Sequence, residues 1–200
     1  MNRMTKQNVF RGMGLCGVLL LAAGCSKKEN MKVDFRTAIN NYYQGHSSCL
    51  WSQPKKFPVQ AATADDSKTE GYDALTDAGL LTRTTGEKKV FIIASKQVNN
   101  YDISNQGRTA WTGDPTQPGY GNFCYGHPQV TSIDSFTTAE NSSGGETAQV
   151  NYHFKIANVP TWAQSQEMQT AFPQLSNAVA GSQPAHVTLV RNGDQWQVTQ

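Results

Sequence analysis

The chain has 200 residues, with 17 basic and 15 acidic side chains and 38% apolar residues. That is enough for one domain with a substantial core, or for two small subdomains packed together. Three of the basic residues, Arg3, Lys6 and Arg11, fall in the first 24, and 17 less these three leaves 14 against the 15 acids. The remaining chain is close to neutral, so the isoelectric point near 8.3 belongs largely to the leader. It gives no argument for a nucleic-acid partner, which needs a clustered basic face.

The leader has a basic start, an apolar run from Met13 to Ala23, and small residues before Cys25. This is the pattern of an export signal. The run of about 11 residues is too short for the roughly 20 that cross a bilayer as a helix. Leu19-Leu20-Leu21-Ala22-Ala23-Gly24-Cys25 resembles the lipobox of bacterial lipoproteins, with Ala22 standing where that family prefers Leu. The resemblance implies cleavage before Cys25, a diacylated Cys25 thiol and an acylated new amino terminus. The expected partner is therefore a membrane, reached through the lipid on Cys25, and Ser26 next to it suits the periplasmic face of an outer membrane. An ordinary secretory signal whose next residue is Cys is the alternative.

Cys16 leaves with the leader and Cys25 takes lipid, so Cys49 and Cys124 remain for the folded part. An even pair in an exported domain is most simply a disulfide. Closing a loop of roughly 75 residues stabilises by about 4 kcal/mol in the chain-entropy model. The rival is a tetrahedral zinc set, because His46 and Cys49 form H-x-x-C while Cys124 and His127 form C-x-x-H. An oxidising compartment favours the sulfur–sulfur bond, so no metal or other cofactor is expected.

Taken in order, Ser26 to Asn30 reads as a short polar tether. Phe35, Ala38, Ile39, Tyr42 and Tyr43 then recur at helical spacing and predict an amphipathic helix over Lys32 to Gln44, ending at Gly45. Pro54 and Pro58 allow only extended edges around Phe57 and Val59. Lys68 to Thr76 reads as a second helix stopped by Gly79, followed by strand-like Lys89 to Ala94 and Val98 to Ile103. Helix, Ala78-Gly79-Leu80-Leu81, hairpin, Tyr101-Asp102-Ile103-Ser104 and Gly107-Arg108 together resemble the second half of a winged-helix domain, over residues 67–108. In DNA-binding members this helix enters the major groove. Here Glu70, Asp73 and Asp77 would repel phosphates, so the resemblance implies a packing or protein-contact scaffold.

Asp114 to Asn122 is a turn-rich connector between the two expected halves, 31–112 and 113–200, which are expected to form one compact unit. Phe123 to Thr138 reads as strand and Asn141 to Glu146 as a loop. In the return strand Thr147 to Asn158, Val150, Tyr152, Phe154 and Ile156 alternate with polar partners, which predicts one buried face and places His153 on the other. Short helices are expected near Met168 to Phe172 and over Gln174 to Ala180. Asn192-Gly193 then closes a hairpin of Ala185 to Arg191 and Gln195 to Thr199. The expected class is α+β: an N-terminal helix and winged-helix-like half packed with a C-terminal antiparallel sheet.

No catalytic residues emerge. There is no G-x-S-x-G elbow, no phosphate-cradling glycine loop followed by a helix, and the clustered acids from Asp65 to Asp77 suit one solvated helix face. The sequence favours a non-catalytic binding or scaffold domain, for a protein, glycan or other envelope component. Trp51, Trp111, Tyr120 and Tyr125 are its candidate contacts if exposed. The alternative is an envelope hydrolase or zinc protein centred on His46, Cys49, Cys124 and His127.

Overall fold

The computed structural model describes residues 22–91, 94–140 and 144–199. The expected export signal lies mostly outside them, and so does the Asn141-Ser142-Ser143 part of the expected loop.

The first helix, α1, runs over Ala22–Gln44. It starts well before the expected Lys32, so the Ser26 to Asn30 stretch is helical rather than an extended tether. Nothing in that stretch breaks a helix: it has no Gly or Pro, its Lys and Glu residues are good helix formers, and Glu29 pairs with Lys32 at 3.4 Å. Phe35, Ala38 and Ile39 are buried as the spacing predicts. Three short strands follow, β1 (Ser48–Cys49), β2 (Lys55–Lys56) and β3 (Val59–Ala62). Helix α2 (Asp66–Asp77) leads through Gly79, at φ 75°, into a hairpin of β4 (Leu81–Phe91) and β5 (Ala94–Ile103). The hairpin strands are longer than expected. Ser104 then caps α3 (Asn105–Ala110), its hydroxyl accepting from the Gly107 N–H at 2.8 Å.

Next come β6 (Trp111–Gly113) and two long strands, β7 (Tyr120–Glu140) and β8 (Glu146–Ala157). A 3-10 turn over Thr161–Gln164 precedes α4 (Gln166–Ala171) and α5 (Pro173–Val179). The chain closes with β9 (Gln183–Asn192) and β10 (Gln195–Val198).

The main sheet is antiparallel, in the order β1-β7-β8-β9-β10, with β2 and β6 also on the first residues of β7; a second sheet has the order β3-β5-β4. Two cores result. In one, Phe35 and Ile39 of α1 pack with Val130, Ile133, Val150, Tyr152, Leu189 and Trp196. The register pairs Val198 with Leu189 and Leu189 with Ala148, which puts Val187, Leu189, Trp196 and Val198 on one face. The other core joins Leu50, Leu75, Leu80 and Tyr101 to Phe123, Met168, Phe172 and Leu175. The cores therefore do not divide at residues 112/113. Helix α1 belongs with the C-terminal strands, α4 packs against α2, and α5 packs against α4 and β8. The mixed α+β class stands, with helices on a curled antiparallel sheet.

Candidate functional site

A cleft lies where β1 meets the first residues of β7. Cys49 and Cys124 are directly opposite in that antiparallel pair and are joined by a disulfide. One residue further on, the Leu50 N–H donates to the Phe123 carbonyl at 3.0 Å. The chain then leaves the sheet, and the side chain of Asn122 holds it there: Nδ2 donates to the Trp51 carbonyl at 2.6 Å and Oδ1 accepts from the Trp51 N–H at 3.2 Å. From 124 residues away, Gln174 Nε2 donates to the Leu50 carbonyl at 2.9 Å. Together these bonds hold the Leu50 to Lys55 segment open above β7, leaving a cleft of about 980 Å³.

One wall is the segment Ser52-Gln53-Pro54-Lys55; the opposite wall is Thr112-Gly113-Asp114-Pro115. Gly121 lies between them, where a Cβ would run into the Trp111 ring and the Thr112 carbonyl, so a bulkier residue there would push the walls out of place. Asp114 turns the chain on itself, accepting from the Thr116 hydroxyl and N–H at 2.7 Å each and from the Gln117 N–H at 3.2 Å. These bonds, the Thr116 hydroxyl first, hold its carboxyl below the usual carboxylate range. Trp51 is half-buried and packs on Phe57, Phe123 and Phe172 with ring centroids 6.1 to 6.2 Å apart. Trp51 and Lys55 also line a second cleft of about 600 Å³, bordered by Lys68, Glu70 and Tyr72. These two residues form the wall that both clefts share.

The four residues weighed as a zinc set are only partly brought together. The sulfurs of Cys49 and Cys124 are bonded to each other, which removes the thiolates that zinc requires. His46 stacks on Tyr42 at 4.1 Å and its Nδ1 lies 2.7 Å from the Tyr42 carbonyl, closing the end of α1. His127 sits at the start of the β7–β8 pairing, opposite Ala157. Among the described residues no group of three or more His, Cys, Asp or Glu side chains is placed to hold a metal ion.

The aromatic candidates divide. Tyr125 is 5% exposed and belongs to the core; Trp111 is packed against Phe57 and Phe123. Tyr120 is 37% exposed, with the Lys56 ammonium 5.8 Å from its ring centre. His153 faces outward as its alternation predicts, and it has an acidic partner that the sequence did not signal. Its Nδ1 is 2.6 Å from Asp134 Oδ2, while the Ser132 hydroxyl donates to Oδ1 of the same carboxylate at 2.8 Å. The Ser132 bond, followed by the histidine, draws the Asp134 carboxyl below its ordinary range. Because the serine bonds the acid and not the imidazole, the three do not form a nucleophile–base–orienter chain. The acids near α2 serve the fold: Asp65 pairs with Lys68 at 2.7 Å, and Asp73 accepts from Arg83 at 2.6 Å and from the Tyr101 hydroxyl at 2.8 Å.

Ser52, Gln53, Lys55, Asn122 and Gln174 carry no signal of a site in the sequence, since they are common polar residues in turn-rich stretches. Comparison with protein-family models, with curated proteins and with solved structures finds no match. Among the described residues no helix is long and apolar enough to cross a membrane.

Proposed function

We propose that this chain is a bacterial envelope lipoprotein, held to the membrane by acyl chains on Cys25, whose folded part is a non-catalytic binding or scaffold domain. The observation that carries the reading is the leader, with its basic start, short apolar run and Leu19 to Cys25 segment ending at a cysteine. Two or three acyl chains, at ~0.8 kcal/mol per buried CH₂, suffice for stable anchoring. The periplasmic face of an outer membrane is the proposed location, from Ser26.

Several features support a binding role over a catalytic one. The cleft beside the disulfide offers amides, hydroxyls and one tryptophan, and its Lys55 and Asp114 form no ion pair with each other among the described residues. Its walls are pinned by the disulfide, Asn122 and Gln174, which suits a preformed site. The winged-helix likeness of residues 67–108 stays part of this proposal as a scaffold. It is supported by the order β3-β5-β4 next to α2, and by the Asp73 contacts that lock α2 to the hairpin.

The test is a crosslinking capture from intact envelopes, comparing the natural chain with Cys25→Ala. The reading expects envelope components that crosslink to the natural chain and are depleted at least several-fold with the variant, as loss of avidity at the membrane surface requires. Equal capture by both would leave the anchor without a role.

A further inference from the structure

Resting on that binding reading, we infer that the cleft beside the Cys49–Cys124 disulfide is a site for a neutral oligosaccharide. Its volume, about 980 Å³, accommodates about two or three sugar rings. Its charges are one of each sign. Lys55 has no ion pair among the described residues, while one oxygen of Asp114, Oδ1, accepts from Thr116 and Gln117. An anionic ligand would find a single ammonium, and a cationic one a single carboxylate, one of whose oxygens is committed to its own turn.

A purely apolar ligand fits no better. It would strip water from the side chains of Ser52, Gln53 and Thr112 and from the free carbonyl oxygen of Gln174 without replacing the lost hydrogen bonds. A sugar ring meets both demands. Its C–H face covers apolar area on Trp51, and its hydroxyl or acetamido groups exchange hydrogen bonds with the amides and hydroxyls of the two walls. The site is rigid where it has to be. Trp51 is fixed through its own backbone by Asn122 and through its ring by three phenylalanines, so little ordering opposes binding.

The test uses the full chain in a detergent without a sugar headgroup, titrated by calorimetry and tryptophan fluorescence with neutral chitotriose and cellotriose. At least one should saturate with a Kd between about 10 μM and 1 mM. For an uncharged ligand the affinity should not change between low and high salt. Gly113→Phe is the blocking variant: Gly113 lines the cleft and a Cβ there meets nothing within 4 Å, so a large ring is added at the cleft's edge without displacing the backbone. It should weaken binding at least about tenfold and leave the thermal midpoint unchanged. Gln53→Ala should weaken binding about two- to fivefold, the loss of one exposed hydrogen bond.

Absence of saturable binding by either sugar, or binding indifferent to Gly113→Phe, overturns the assignment. So does salt-dependent capture of a charged peptide by the same cleft in place of sugar. The two proposals fail separately. Acyl groups found on Cys25 with no sugar binding remove the cleft assignment alone, whereas sugar binding by a chain lacking them supports the cleft and removes the anchor.

Discussion

Tyr152 is 2% exposed, and its hydroxyl lies 2.6 Å from that of the half-buried Tyr43, so α1 and β8 meet through a pair of hydrogen-bonded phenols. Burial, reinforced by the Tyr43 bond, pushes the Tyr152 phenol well above its ordinary value. A folded-state value raised above that of the unfolded chain, about 10, gives stability that is complete below pH ~10 and lost as the pH rises further. Urea unfolding should therefore show a midpoint that declines from about pH 10 upward. Tyr152→Phe should cost about 1 kcal/mol at neutral pH and make the alkaline decline shallower. Tyr72, Tyr101 and Tyr125 are shifted in the same direction by burial, so part of the decline should persist. At Gly126 the constraint is steric. Its φ is 130°, and a Cβ would run into the Ala157 carbonyl and the Ile156 side chain. Gly126→Ala should lower the thermal midpoint by at least about 4 °C, corresponding to a loss of about 2 kcal/mol in a domain of this size.

The elements differ in how their stability arises. Strand β1 has two residues and is held by the disulfide, by its pairing to β7 and by Gln174 on the next carbonyl. Replacing both Cys49 and Cys124 by serine should cost about 2 to 4 kcal/mol in chemical denaturation, as expected for a loop of 75 residues. It should also free the cleft's near wall. The elements that could be read from the sequence are those whose burial follows a local period. The Phe35, Ala38, Ile39 stripe marked α1, the alternation at Val150 and Tyr152 marked β8, and Asn192-Gly193 marked the last hairpin. Strands β1, β2 and β6 could not be read, because each is only two or three residues, too short to show a period, and β1 and β2 pair with a distant stretch of β7. The cleft was hidden for the same reason. The Asn122–Trp51 and Gln174–Leu50 bonds join residues 71 and 124 positions apart, with no local pattern to announce them. Helix α1 was underestimated at its start because Ser26 to Asn30 is polar, and apolar periodicity is silent where a helix does not pack.

At the scale of the molecule, α1 sets the distances. From Cys25 to Gln44 it rises roughly 29 Å at 1.5 Å per residue. Its early turns lie near Phe136 and the β9–β10 turn, with the Lys28 ammonium 5.9 Å from the Phe136 ring and Asp34 beside Asp194 and Trp196. Its last turn delivers the chain to the disulfide and the cleft. An acyl anchor on Cys25 would hold the start of α1 at the membrane, with the cleft near the other end of the helix, roughly 30 Å away along its axis. The central proposal is this anchor, and intact mass spectrometry of the chain isolated from its natural host tests it most directly. The account predicts a chain beginning at Cys25 with a diacylglyceryl thioether and an acylated amino terminus. A mature chain with an unmodified Cys25 thiol, or one that begins elsewhere, would contradict it.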